Sequence, residues 1–342
     1  MGTVKKIIAD LVAFDTVSDK SNLNIQEYIE AYLKSYGVDA KRVYNDDGNK
    51  TNLFATIGPN VAGGVILSGH TDVVPVVGQN WSTDPFTVVE KNGRLYGRGT
   101  ADMKSYLAIA LSLVPEMLAA NMKRPIHLAF SYDEEVGCLG APRMIDEITQ
   151  ALPPVHSVIV GEPTNLEIAN AHKGVRGYVF HLHGLEAHSS QPHRGVSAVE
   201  YATKLITELY QIRDTLAANP LKGSDFIPAY STLNVGMING GTAHNIIAKD
   251  CSFSLDYRYI PNDDSEAVVS KIDLLVHRLS DRMKQDDPDS GITYDTREIP
   301  AFKAEINGNA EVLCRQLSGR NSTSSVSYGT EAGQFQDRGY ST

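Results

Sequence analysis

Two stretches decide the fold: VILSGHTDVVP, residues 65–75, and IHLAFSYDEE, residues 126–135. Each is a short apolar run that passes directly into metal-type side chains. Residues 65–69 run into His70, and residues 126–132 into Asp133, Glu134 and Glu135. A third run, 157–161, ends at Glu162, and a fourth covers 52–57. Runs of this length bounded by turn residues read as buried strands. Helical patterns lie around them: Val4, Ile7, Ile8 and Leu11; then Ile25, Ile29, Tyr32 and Tyr36 up to Gly37; and a long one over 102–120. Strands alternating with helices predict an α/β layer fold with a largely parallel sheet. In such sheets ligands bind beyond the carboxyl ends of the strands, which is where His70, the Glu134–Glu135 pair and Glu162 fall.

After Lys173 the rhythm changes. Residues 177–185 alternate like a half-exposed strand, 197–214 are helical, 231–239 and 251–260 are strands, 265–284 are helical, and 292–299 form a strand again. The order βαββαβ is a split βαβ, or ferredoxin-like, sandwich. Its polar or proline-marked ends predict an insertion, residues 174–300, in a catalytic domain made of 1–173 and 301–342.

The chain has 342 residues, enough for roughly two domains of ~150 residues. It is 42% hydrophobic and 21% charged, a balance that excludes collagen, a coiled coil or a small disulfide scaffold. The net charge of −10 repels phosphate backbones and anionic lipid, so neither nucleic acid nor membrane is an expected partner. Cys138, Cys251 and Cys314 form no CxxC and suit no thiolate site, which fits a reducing cytosol. Asp10 and Asp15 interrupt the N-terminal apolar stretch, against a signal peptide. Met1-Gly2 opens like an acylation site, but Lys6 stands where Ser or Thr is required. A cytoplasmic protein is expected.

Taken singly, the polar residues have ordinary roles. Asp102 after the glycine-rich turn GRG (97–99) would cap a helix, His70 would be a satisfied structural histidine, Glu134 and Glu135 a solvated loop, Glu162 a turn residue. Their convergence at strand ends overrides those readings. Four carboxylates, one imidazole and no thiolate suit a hydrolytic dinuclear Zn, Mn or Co centre. Asp72, two residues after His70, can accept the other ring N–H and fix the tautomer.

These residues resemble a known family, the dinuclear zinc amidohydrolases. The stretches that carry the resemblance are SGHTDVVP (68–75), LYGRGTADMK (95–104), SYDEEVGCLGA (131–141), VGEPT (160–164), EAHSSQPHRGVSA (186–198), LDYRYIP (255–261) and SYGTEAG (327–333). The resemblance implies a three-layer, zinc-peptidase-like catalytic domain with the insertion as lid and dimerisation domain. It implies two divalent metal ions, zinc above cobalt or manganese. His70 and Glu162 would bind one, Glu135 the other, and Asp102, aimed by a cis peptide to Met103, would bridge them. Glu134 would be the general base and Asp72 the orienting carboxylate. His188 would reach a partner subunit's site in a homodimer to hold the oxyanion, Asn245 and Arg258 would anchor the substrate's carboxylate, and Gly329 and Thr330 would line the site. Outside the resemblance His188 and Asn245 read as turn residues and Arg258 as a surface cation.

Within the family, GEPTN and SYGTEAG are most similar to the branch that deacetylates N2-acetyl-L-ornithine in arginine biosynthesis. Another N-acyl amino acid amidohydrolase, a dipeptidase or carboxypeptidase of the family, and a non-catalytic dimeric binding protein are the alternatives. The family's last metal ligand is a His beyond the SYGTEAG loop, and no His follows His277 here. Either the sequence is incomplete at its C-terminal end, or one metal is held tightly and turnover is slow.

Overall fold

The apolar stripe near the N-terminus forms α1 (Thr3–Val12), which buries Ile7, Ile8, Leu11 and Val12. The computed structural model describes residues 3–342; Met1 and Gly2, which open the acylation-like motif, lie outside them. Helix α2 (Leu23–Ser35) stops at Gly37. A φ of 76° there lets the N–H groups of Gly37 and Val38 close on the carbonyls of Lys34 and Leu33. Next come β1 (Ala40–Tyr44), β2 (Thr51–Ile57), β3 (Val65–His70) and a hairpin of β4 (Val89–Lys91) and β5 (Arg94–Tyr96). They are followed by α3 (Lys104–Ser112), α4 (Val114–Ala119), β6 (Ile126–Ser131), α5 (Ala141–Ala151) and β7 (Ser157–Val160).

The sheet has the order β1-β2-β6-β3-β7. Strand β3 runs parallel to β6 and β7, while β1 with β2 and β2 with β6 are antiparallel, so the sheet is mixed rather than largely parallel. The pairing of β1 with β2 follows from the short turn after Tyr44, a connection that joins only antiparallel neighbours. Both faces are covered. Leu53, Ala55, Leu128 and Phe130 pack with α1, α2 and α3, while Phe54, Ile66, Ala129 and Val158 pack with Met144 and Ile145 of α5. The helical pattern over 102–120 is broken at Leu113, because Pro115 lies in the first turn of α4, where its missing N–H costs nothing and its ring blocks continuation of α3.

The chain divides into two compact units, one of residues up to Asn170 with Lys303–Ser324 and Thr330–Thr342, the other Ala171–Phe302 with Ser325–Gly329. Strand β8 (Ile168–His172) leads from the first to the second. The second runs β9 (Gly174–His183), α6 (Ala198–Ala218), β10 (Thr232–Gly240), β11 (Asp250–Tyr259), α7 (Ser265–Asp286) and β12 (Gly291–Ile299). Its antiparallel sheet, β10-β11-β9-β12, has the ferredoxin-like order, with Leu205 and Leu209 of α6 and Ile272 and Val276 of α7 in its core. Ser197 and Asp264 cap those helices by accepting from the N–H groups of Glu200 and Ala267. The chain ends with β13 (Phe302–Lys303), α8 (Asn309–Ser318), β14 (Thr323–Val326) and α9 (Ala332–Asp337). Among the described residues no helix is long and apolar enough to cross a membrane.

Candidate metal centre

His70, the last residue of β3, is buried. Its Nδ1 donates to the carbonyl of Asp72 at 2.9 Å. A carbonyl only accepts, so Nδ1 carries a proton, and Nε2 faces Asp102 Oδ1 at 3.0 Å and Glu134 Oε2 at 4.0 Å, where a bound metal would take its lone pair. Glu162, two residues past β7, completes a group: one ligand atom each from His70, Asp102 and Glu162 lie within 4.8 Å of one another. Asp102 is not a helix cap, because α3 begins after Met103 with no side-chain cap bond, and the Asp102–Met103 peptide is cis.

Two glycines let these side chains converge. Gly69 precedes His70 and Gly161 precedes Glu162, and both lie against α3. A Cβ at Gly69 would stand 2.6 Å from Met103 Cε, and one at Gly161 only 2.3 Å from the Tyr106 ring. Met103 Sδ in turn accepts from the His70 N–H at 3.3 Å.

The carboxylate of Asp72 does more than face the imidazole. Its Oδ1 accepts from the Glu134 N–H at 3.1 Å and its Oδ2 from the Glu135 N–H at 3.3 Å and Ser18 Oγ at 2.7 Å. It thereby holds the backbone of the Glu pair beside His70. The third acid of that loop turns away: Asp133 pairs with Lys50 Nζ at 2.6 Å. Burial, and then repulsion from neighbouring acids, pushes the carboxyls of Glu135 and Glu162 up to about 7 and that of Glu134 well above its usual range. Burial of the His70 ring opposes its protonation, but the bonds to Asp102 and Asp72 outweigh it and raise its pKa.

Sequence reasoning passed over one acid here. Glu331, next to Thr330, is only 1% exposed and accepts from Ser68 Oγ at 3.0 Å and from Ser131 Oγ. Thr330 is buried and its hydroxyl accepts from the Ala332 N–H at 3.1 Å in the turn before α9.

The remaining residues lie in the second unit. His188 is exposed, with Nδ1 2.8 Å from Ser190 Oγ, and its backbone bridges to Ile246, next to Asn245, whose carbonyl accepts from Ser189. Those two loops thus form one cluster. Arg258 donates from Nε to Asp256 at 2.9 Å and from Nη1 to the Ser327 carbonyl at 3.3 Å, two residues before Gly329.

The donors fit a divalent cation. Partly buried acids that repel one another beside a buried imidazole form an oxygen-rich set, and Glu162 Oε1 is buried without a hydrogen-bond partner. An α/β layer fold with such a site at its strand ends defines a metallohydrolase. Residues 66–339 match the peptidase family M20/M25/M40, and the chain belongs to that family, as a metallo-amidohydrolase. It is 33% identical, over 323 residues, to an acetylornithine deacetylase of Shigella sonnei (strain Ss046), covering 94% of this chain and 82% of that one. Solved structures share the fold. An M20 family metallo-carboxypeptidase from Sulfolobus solfataricus superposes with a TM-score of 0.77 at 18% identity, covering 99% of this chain and 89% of the other. A tripeptidase from Staphylococcus aureus superposes with a TM-score of 0.73 at 19% identity, covering 99% and 88%.

Proposed function

We propose that this amidohydrolase cleaves the amide bond of an N-acyl amino acid, with N2-acetyl-L-ornithine as the substrate and ornithine and acetate as products. The observation that carries the reaction class is the convergence of His70, Asp102 and Glu162 with Glu134 Oε2 4.0 Å from the imidazole. The similarity to the Shigella sonnei acetylornithine deacetylase supports the substrate. His70, Asp102 and Glu162 would hold one divalent ion, and Asp102 with Glu135 a second. Such ions acidify water and polarise an acyl carbonyl. Glu134 takes the proton of the attacking water and delivers it to the departing amine, a role suited to a carboxyl whose pKa is raised by burial. Asp72 holds the loop that carries Glu134 and, through its carbonyl, the tautomer of His70.

In the inserted domain, His188 would serve a partner subunit's site in a homodimer by meeting the oxyanion, with Asn245 and Arg258 binding the substrate carboxylate and Gly329 and Thr330 lining the site. The planar guanidinium of Arg258 suits a carboxylate.

The test is turnover across a panel of N2-acetylornithine, other N-acyl amino acids and dipeptides, before and after chelation and metal restoration. Glu134→Gln is expected to keep its metal and lose ~10²–10⁴-fold in kcat. Normal turnover per bound metal in that variant would remove Glu134 from proton transfer. Preference for a dipeptide would overturn the substrate assignment, and tight binding without turnover would make the protein a binding module.

A further inference from the structure

We propose that Glu331 is a positioning residue that clamps together the strand ends carrying the metal centre. Ser68 stands two residues before His70 on β3, and Ser131 closes β6, three residues before Glu134. The strands are parallel neighbours in register, with His70 opposite Ser131. Along β3 the side chains of Ser68 and His70 point to the same face of the sheet. Glu331, delivered from the turn before α9, lies over that face and takes one hydroxyl on each oxygen, from Ser68 at 3.0 Å and from Ser131. With one hydroxyl on each oxygen, Glu331 holds together the strands that carry the ligands.

The same segment holds the Glu134 loop. Gln334 Nε2 donates to the Cys138 carbonyl at 3.1 Å, and the N–H of Cys138 donates to the Glu134 carbonyl at 2.9 Å. The Cys138 thiol adds a contact to Glu134 Oε1 at 3.4 Å. One short stretch of chain, residues 331–334, is therefore bonded to both elements whose spacing sets the distance from the imidazole to Glu134. Glu331 is 1% exposed, and a buried carboxylate is costly to desolvate. A carboxylate there is explained by the two hydroxyls it fixes, since groups that orient ligands typically change metal affinity 10–100-fold when removed.

The inference rests on the metal centre proposed above, and its test separates the two. Zinc affinity is measured by competition with a chromophoric chelator, together with kcat, KM and the unfolding temperature of the metal-free protein, for E331A, E331Q, the double variant S68A/S131A and the triple variant. E331A is expected to weaken zinc ~10–100-fold and to lower kcat with little change in KM. E331Q, which keeps the shape and one accepting oxygen, is expected to recover part of the loss and covers the case in which E331A does not fold. S68A/S131A should reproduce E331A, and the triple variant should be no worse than either, because all three remove the same two bonds. Parental zinc affinity and kcat in folded E331Q and S68A/S131A, while H70A abolishes zinc binding, would overturn the clamp and leave the metal centre standing. Unchanged zinc affinity in H70A and E162Q would overturn the metal centre and the clamp with it.

Discussion

Gly161→Ala tests how the metal centre is built without touching a charged group. The added Cβ would lie 2.3–2.4 Å from three carbons of the Tyr106 ring, whereas carbon atoms rest at ~3.5–4.0 Å, so ring and strand must separate by roughly 1.2 Å or more. Rotation gives little relief, because the ring also sits 3.2 Å from the ideal Cβ position of Gly69 and its hydroxyl is bonded to the Ile159 carbonyl at 3.3 Å. Overpacking of this kind costs ~1–3 kcal/mol, and losing the hydroxyl bond adds ~1 kcal/mol. At about 2–4 °C per kcal/mol for a unit of this size class, the metal-free unfolding transition should fall by several degrees. Because Gly161 adjoins Glu162 and Gly69 adjoins His70, separation also moves two donors, and zinc affinity should fall at least ~10-fold. Scanning calorimetry and chelator competition read the two effects. Y106L in the G161A background, which removes the ring, should restore part of the zinc affinity. A G161A protein with parental stability and zinc affinity would show that α3 does not set the donor positions.

In the proposed homodimer, mixing inactive E134Q and H188A proteins should restore roughly a quarter of parental activity on random subunit exchange, since one site in each heterodimer has both residues. Activity that stays at the level of the separate variants would confine His188 to its own subunit or remove it from the reaction. His127, buried on β6 with Nδ1 2.9 Å from Thr56 Oγ1, has its pKa pushed down to about 4 by burial, against ~6.5 when unfolded. The neutral ring is favoured in the fold, so its contribution is complete above pH 6.5 and lost as pH falls toward 4, a change of about 3 kcal/mol at most. Urea unfolding between pH 4 and 7 should therefore show a flatter pH dependence in H127Q, and an unchanged slope would mean that another group sets it.

Alternating strands and helices, the βαββαβ order and the meeting of His70 and Glu162 at strand ends with Asp102 at a helix start are all readable from sequence. They follow from local rules: apolar periodicity sets the element, and the strand direction sets which end carries the ligands. The tertiary structure alone decided the rest. Strand β1, with Lys41 and Arg42, offers no apolar run, yet it pairs antiparallel with β2 at the edge of the sheet. Asp133 and Glu134 are adjacent acids of the same type of loop, and only the position of Lys50 separates an ion pair from a site residue. Asp72 was legible as a partner of His70, but its hold on the Glu134 and Glu135 N–H groups depends on a pairing across about sixty positions. Glu331 meets Ser68 at a sequence separation of 263. Contacts of that range leave no periodicity or spacing in the chain, because they depend on how two distant segments of one unit pack against each other.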